Sequence, residues 1–219
     1  MIDATPLPPP TEGESLVRVA DLGCGRTTPY FGSVERVRVT RFDADESVRP
    51  DYRCDLRTLP VEDGAFDVVH ASHVLEHFGR SEVLRVLGEW VRVLRVGGEL
   101  RLVVPNVLHA FERVLAMERG EAPPDQYPFW QIWGAQAGPL DVHRNGWTPR
   151  RLRLVLERLD CLGEITVQEA DDGQNLVAQA VKVRAVKPYA LVDGWDAVAA
   201  AEGTRLPGLA PKSEPPATA

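Results

Sequence analysis

The chain has 219 residues, of which 44% are hydrophobic and 26% are charged. This balance is typical of a soluble globular protein, and the length suits one domain with a substantial core. No apolar run reaches the roughly 20 residues that a membrane-spanning helix needs. The formal net charge of −7 disfavours a nucleic-acid partner, because proteins that bind nucleic acids usually carry a basic field.

The cysteines and the N-terminus indicate a cellular compartment. Cys24, Cys54 and Cys161 are scattered and form no CxxC pair, which favours a reducing environment over a disulfide framework. The sequence MIDATPLPPPTEGE has no basic segment followed by an apolar one, so no secretory signal is predicted. We therefore expect a cytoplasmic protein without a membrane partner.

Composition divides the chain into three zones. Residues 1–14 are rich in proline and acid and predict a flexible leader. Residues 15–186 alternate strand-like and helix-like segments and form the predicted domain. Residues 187–219 lose this periodicity, and their end is expected to be a disordered tail.

Apolar, β-branched runs predict strands in the first two thirds of the domain. Helical spacing of apolar residues predicts a helix over 81–98, with Ser81 as its N-cap and Gly97 as its stop signal. A second helix is predicted over 147–160, where Thr148 is followed by a proline suited to the first helical turn. The predicted strands of this part cover 16–23, 36–43, 65–72 and 99–106.

The end of the domain has a different pattern. Segments 164–170 and 175–183 read as two strands joined by the turn at 171–174, which predicts an antiparallel pair. The alternating segments before them imply parallel strands with helices on both faces. The predicted fold is therefore α/β: a Rossmann-like, doubly wound, mostly parallel sheet with an antiparallel C-terminal pair.

A glycine-rich turn follows the first strand. The sequence Asp21-Leu-Gly23-Cys24-Gly25 lets the backbone approach a ligand closely at the end of a strand. A dinucleotide site would have a third glycine, but Thr28 stands there. The GxG alone is equally consistent with a plain tight turn.

Two acids follow at informative positions. Asp43 ends the second predicted strand, where a carboxylate can accept hydrogen bonds from ribose hydroxyls. Asp55 lies just before the third. With them the chain contains VADLGCG, FDAD, DLRTLPVEDGAFDVV, VLEHF and VLRVGGELRLVVPN in order. This series resembles the type 11 branch of class I S-adenosylmethionine (SAM)-dependent methyltransferases, closely over 16–106, although Val61 and Val96 depart from the family pattern.

The resemblance implies SAM as cofactor, and it implies a role for each matching residue. Asp21 would lie near the methionine amino group of SAM, Asp43 would bind the ribose hydroxyls, and Asp55 would reach the adenine amine. His73, directly after the predicted strand at 65–72, would face the transferable methyl. The cofactor-binding residues predicted in this way are Asp21, Gly23, Cys24, Gly25, Asp43, Ala44, Asp55, Leu56, Ser72 and His73.

Histidines are the candidate general bases, because their ordinary pKa lies near neutrality. His73 is the first candidate and His143 a weaker one, while His70 is expected to be a packed core residue. His77 belongs to the LEH motif, for which the resemblance implies a structural role. The spacing of His73 and His77 would suit zinc on a helix, but no third ligand is evident, so no metal site is predicted.

An insertion over about 105–147 is expected to set substrate specificity. Its aromatic and hydrogen-bonding residues suit a lid over a polar organic acceptor, and they equally suit a hydrophobic cover packed on the sheet. The basic residues from Arg144 to Arg158 suit either an anionic acceptor group or a solvated helix face. The predicted substrate-binding residues are Trp130, Trp133, Gln136, His143 and Arg144.

Together these observations predict a methyltransferase (EC 2.1.1.-) that methylates a hydroxyl or amine of a small molecule, such as a glycan or natural-product intermediate. Two alternatives stay open at this level. One is a non-catalytic SAM-binding regulatory protein, and the other is an NAD-dependent oxidoreductase that shares the glycine turn. The sequence indicates no oligomeric state.

Overall fold

The computed structural model describes residues 16–26 and 36–186, so the predicted leader and tail lie outside the described residues. Within these ranges one sheet of seven strands has the order β3-β2-β1-β4-β5-β7-β6. The strands are β1 (Val17–Leu22), β2 (Val37–Asp43), β3 (Tyr52–Arg53), β4 (Phe66–Ser72), β5 (Leu94–Pro105), β6 (Leu162–Ala170) and β7 (Asn175–Lys182).

The strand directions confirm the predicted fold class. From β3 to β5 all neighbouring strands are parallel, whereas β7 runs antiparallel to both β5 and β6. The carboxyl ends of β1, β2 and β4 therefore meet at one edge of the sheet, which is where open α/β sheets bind ligands.

Four α-helices accompany the sheet in the described part of the chain, and none of them is long and apolar enough to span a membrane. The main core includes Trp90 and Leu152, both fully buried. Thr148 caps its helix as predicted, because its hydroxyl accepts the Arg151 N–H at 3.3 Å. The helices are α1 (Val83–Arg92), α2 (Val107–Glu118), α3 (Tyr127–Trp133) and α4 (Pro149–Glu157).

The helix predicted over 81–98 is wrong at both ends. It begins without a side-chain cap from Ser81 and ends at Arg92, and β5 already starts at Leu94. Gly97 lies inside this strand with φ +79° and does not terminate a helix. The pairing of β4 with β5 shifts its register between Phe66 and Val68, opposite these glycines. Only glycine fits at the next residue, Gly98, because a Cβ there would lie 2.9 Å from two backbone oxygens.

The insertion between β5 and α4 is attached to the domain by long-range hydrogen bonds. Its first helix, α2, has the Asn106 side chain as N-cap. Gln131 Nε2 donates to the Gln174 carbonyl at 2.7 Å, and the Arg144 N–H donates to the Glu76 carbonyl at 2.8 Å. These contacts bring the insertion over the carboxyl edge of the sheet.

One row of residues across the sheet is polar. The Cα partners in register are Arg41, Asp21, His70, Arg101 and Gln179, on β2, β1, β4, β5 and β7. His70 is buried, as predicted, and its Nδ1 lies 3.1 Å from Asp21 Oδ1. Because side chains alternate along strands, the neighbours of these residues point to the opposite face, into the main core.

Candidate functional site

A cavity of ≈ 540 Å³ opens at the carboxyl edge of the sheet. It is lined by residues at or after the ends of β1, β2 and β3, including Gly23, Asp43, Ala44, Asp55 and Leu56. Its lining also includes the insertion residues Pro139, Leu140, Val142 and Arg144, together with His73 and His77. The predicted cofactor motifs and the insertion therefore share one cavity.

The glycine turn has the backbone conformation that its sequence predicts. Gly23 has φ +63° and Gly25 has φ +53°, values that residues with a Cβ rarely adopt. A Cβ at Gly23 would lie 2.5 Å from Val74 Cγ2, so this glycine lets the turn pack against the segment after β4. At Gly25 a Cβ would meet nothing within 4 Å, so the turn leaves open space there.

Asp43 connects the turn to the end of β2. Its Oδ2 accepts the Gly25 N–H at 3.0 Å, and its Oδ1 accepts the Asp45 N–H at 2.8 Å. Each carboxylate oxygen can accept more than one hydrogen bond, so Asp43 retains acceptor capacity toward the cavity. This suits a ligand that offers hydroxyl donors.

Asp55 and Leu56 lie on the same side of the cavity. Asp55 Oδ1 accepts the Arg57 N–H at 2.9 Å, and the Asp55 side chain is largely exposed. Leu56 is buried, and its carbonyl accepts the indole N–H of Trp90 at 3.0 Å. The core residue Trp90 thus fixes the apolar part of this wall.

Four predicted cofactor residues lie off the cavity wall: Asp21, Cys24, Gly25 and Ser72. Asp21 is 4% exposed and pairs with His70, and its Oδ2 has no hydrogen-bond partner within the described ranges. Burial raises the pKa of the Cys24 thiol from 9.0 to about 11, an effect that the charge of Arg41 only partly offsets. These residues shape the turn beneath the cavity.

His73 also lines the cavity. It follows β4 with φ +56°, and its backbone N–H donates to the Val103 carbonyl at 2.8 Å. Its side chain is 45% exposed, and Nδ1 lies 3.5 Å from Glu76 Oε1. Desolvation lowers the pKa of His73, but contact with Glu76 and the charge of Asp171 outweigh it and raise the pKa overall.

The insertion places its predicted substrate residues differently from expectation. Arg144 lines the cavity, and the His143 side chain is nearly buried beside Glu76. Trp130 and Trp133 are 52% and 50% exposed, and with Gln136 they lie off the cavity wall. The wall is instead formed by Pro139, Leu140 and Val142, which no sequence pattern indicated.

The basic residues of this region do not form one solvated face. Arg151 stacks on the Trp147 ring, 4.9 Å from its centroid, and burial lowers the pKa of Arg151 to about 10. Arg153 donates to the Ile165 carbonyl at 2.9 Å. Arg144 is the member of this run that reaches the cavity.

Part of the sequence matches a known protein family and a known relative. Residues 20–102 match the sequence model of a family described as a methyltransferase domain. A curated relative, the tRNA (carboxymethyluridine(34)-5-O)-methyltransferase alkbh8 of Xenopus tropicalis, is 27% identical over 139 residues, which is 58% of this chain. The chain spans only 22% of that relative's length.

Two solved structures show the same fold. A SAM-dependent methyltransferase from Aquifex aeolicus aligns with a TM-score of 0.52 and 18% identity, over 78% of this chain and 86% of that one. The 1,6-didemethyltoxoflavin-N1-methyltransferase of Burkholderia thailandensis, solved with its substrate and S-adenosylhomocysteine, aligns with a TM-score of 0.51 and 14% identity, over 77% and 72%. Residues 20–102 therefore match a methyltransferase domain, and the chain has the fold of these methyltransferases.

Proposed function

We propose that this protein transfers a methyl group from SAM to a hydroxyl or amine of a small polar molecule. One observation carries the proposal: the cofactor motifs and the insertion line one cavity, which His73 also lines. Two ligands bound against these two sets of residues would share that cavity. A volume of ≈ 540 Å³ lies within the usual range of small-molecule sites.

The cofactor side suits SAM. SAM, when bound, supplies an electrophilic methyl on a sulfonium, whose displacement leaves a neutral thioether. The Asp43 carboxylate would accept hydrogen bonds from the ribose hydroxyls, and Asp55 would accept one from the adenine amine. The absence of a third glycine in the motif suits a ligand without phosphates.

The acceptor side would position the nucleophile and limit the access of water. Pro139, Leu140 and Val142 offer an apolar surface, and Arg144 adds a cation at the rim. Holding the acceptor in line with the methyl supplies much of the rate of such a displacement. His73 would accept the proton that a hydroxyl or amine releases.

The chemistry of the cavity favours a glycan or natural-product intermediate as acceptor. The B. thailandensis neighbour has a small molecule in its structure, whereas the X. tropicalis relative is named for a modified uridine in tRNA. The acidic net charge of −7 favours the small molecule for this chain. Methylation of tRNA is the outcome that would contradict this acceptor class.

Calorimetry with S-adenosylhomocysteine and NAD tests the cofactor side first. We expect one S-adenosylhomocysteine per chain and no NAD, and the reverse would support the oxidoreductase alternative. Labelled SAM is then offered with polar small molecules and with bulk tRNA. Turnover of a small molecule supports the proposal, and binding without any turnover would support the regulatory alternative.

Variants of His73 test its role. We expect His73→Gln to lower turnover at least tenfold while S-adenosylhomocysteine affinity stays near that of the wild type, as general-base effects predict. His109→Gln is the matched control, because His109 lies outside this cavity on α2. An unchanged rate for His73→Gln would remove His73 from the mechanism.

A further inference from the structure

Glu76 is a buried carboxylate beside the cavity. It lies in the short 3-10 turn Leu75–His77 between β4 and α1 and is 1% exposed. Neither carboxylate oxygen has a hydrogen-bond partner within residues 16–26 and 36–186. The nearest ring nitrogens that face it are His73 Nδ1 at 3.5 Å and His143 Nε2 at 3.9 Å from Oε1. A buried carboxylate in this state needs a cation nearby.

Hydrogen bonds determine the tautomer of two histidines near Glu76. His77 Nδ1 lies 3.1 Å from the Val142 carbonyl oxygen, and His143 Nδ1 lies 2.9 Å from the Gln131 carbonyl oxygen. A carbonyl oxygen only accepts hydrogen bonds, so each Nδ1 carries the proton in the neutral ring. Nε2 of each ring then keeps its lone pair. Histidines that bind metals are usually oriented in this way.

One ligand atom from each of Glu76, His77 and His143 lies within 4.8 Å of the others. Ligand atoms bound to a tetrahedral zinc ion at about 2.0–2.1 Å lie about 3.4 Å from one another. Side-chain movements of about 1 Å would therefore bring these three ligand atoms to the distances that zinc requires. The sequence brings Glu76 and His77 together, but His143 arrives from the insertion. The sequence pattern His73-x3-His77 shares His77 with this cluster, whereas His73 is not part of it.

We propose that Glu76, His77 and His143 bind a divalent transition-metal ion, such as zinc, in the wall of the cavity. Two imidazoles and one carboxylate leave a fourth coordination position open, which is the arrangement of catalytic zinc sites. Since His77 lines the cavity, this position faces the acceptor side. There the ion would bind and polarise an acceptor oxygen. That role rests on the proposed function, whereas the binding of the metal does not.

Metal binding is measured on the full chain after removal of metals with a chelator. We expect calorimetry to give one Zn²⁺ per chain, and Co²⁺ to give the visible absorption of a tetrahedral site. Glu76→Gln and His143→Gln should each weaken Zn²⁺ binding by at least about a hundredfold. His109→Gln removes a histidine outside the cluster and should bind Zn²⁺ as the wild type does.

Thermal unfolding separates a lost ligand from a damaged fold. Without metal, Glu76→Gln should melt at the same temperature as the wild type or higher, because it removes a buried carboxylate that has no hydrogen-bond partner among the described residues. With Zn²⁺, the wild type should gain stability and Glu76→Gln should not. If metal-free Glu76→Gln melts well below the wild type, its fold is damaged, and His77→Gln is used in its place because His77 is less buried.

Several outcomes overturn the proposal. They are the lack of stoichiometric Zn²⁺ binding by the wild type, or equal Zn²⁺ affinity in the wild type and the ligand variants. S-adenosylhomocysteine is titrated into the same metal-free protein as an independent measurement. If it binds while Zn²⁺ does not, the metal site fails alone; if only Zn²⁺ binds, the cofactor assignment fails and the metal site stands.

Discussion

The Asp43 carboxylate accepts the backbone N–H of Gly25 at 3.0 Å, so the end of β2 holds the turn that follows β1. The same carboxylate lines the cavity. On the proposed function this side chain has two roles: it holds the glycine turn, and it would present acceptor oxygens to the cofactor. Loss of Asp43 should therefore affect the ligand more than the fold.

We expect Asp43→Ala to weaken S-adenosylhomocysteine binding by about tenfold to a hundredfold, on the order of 2 kcal/mol, because hydrogen bonds to a carboxylate are lost. Asp45→Ala is the matched control, since Asp45 lies in the same loop and off the cavity wall. Calorimetry measures both. Wild-type affinity in Asp43→Ala would rule out the ribose assignment.

The two glycines of the turn should respond differently to alanine. Gly25→Ala introduces only the strain of a positive φ, about 1 kcal/mol. Gly23→Ala adds a clash with Val74 and should cost about 3 kcal/mol in unfolding free energy. Denaturant unfolding checks this order. The double variant Gly23→Ala, Val74→Ala should retain the conformational strain without the clash, and equal costs at both glycines would contradict the argument.

The hydrogen bond from Trp90 should hold Leu56 in place in the cavity wall. Trp90→Phe keeps an aromatic ring but leaves the Leu56 carbonyl without its donor, which should cost about 2 kcal/mol in stability. Because Leu56 lines the cavity, S-adenosylhomocysteine affinity should also fall several-fold. Denaturant unfolding and calorimetry measure the two effects. A stable variant with unchanged affinity would show that this hydrogen bond does not position the wall.

The Cys24 thiol should react slowly with alkylating reagents. Its pKa of about 11, against an ordinary 9.0, leaves about a hundredfold less thiolate at pH 8 than an exposed cysteine has. Thiolate is the reactive form, so iodoacetamide labelling should accelerate as the pH rises toward 11. Peptide mass spectrometry follows the labelling, with a free cysteine peptide as reference. A rate at pH 8 equal to that of the peptide would contradict the raised pKa.

Leu140 should affect the acceptor and not the cofactor. Leu140→Ser removes apolar surface from the insertion side and should raise the KM for the acceptor about tenfold, with S-adenosylhomocysteine affinity unchanged. Trp133→Ala is the control, because Trp133 is exposed and off the wall. Steady-state kinetics distinguishes them. A larger effect of Trp133→Ala would restore the aromatic lid that the sequence suggested.

Most of the sheet was predictable from sequence because β1, β4 and the end of β5 are rich in apolar, β-branched residues, and β2 alternates before it ends on Asp43. Asp43 and Asp55 were found for the same reason, since they stand beside such runs. The start of β5 was missed because the buried pair at Val93 and Leu94 fits a helix face and a buried strand equally well. The two-residue strand β3 is too short to show any period.

The acceptor side was not predictable, because its path depends on contacts that are distant in sequence. Backbone bonds such as Arg144 N–H to the Glu76 carbonyl decide which insertion residues reach the cavity. Aromatic content favoured Trp130 and Trp133, yet Pro139 and Leu140 lie on the wall. No local pattern contains this information.

The polar row from Arg41 to Gln179 constrains how this sheet can be rebuilt. A shift of one strand by a single residue would turn its polar side chain into the apolar core and move a core residue out. A chimaera that receives β4 or β5 from another methyltransferase should therefore assemble only when the donor strand has its polar residue in phase with Asp21. Overall hydrophobicity of the donor strand would not predict success, but the phase of this one position would.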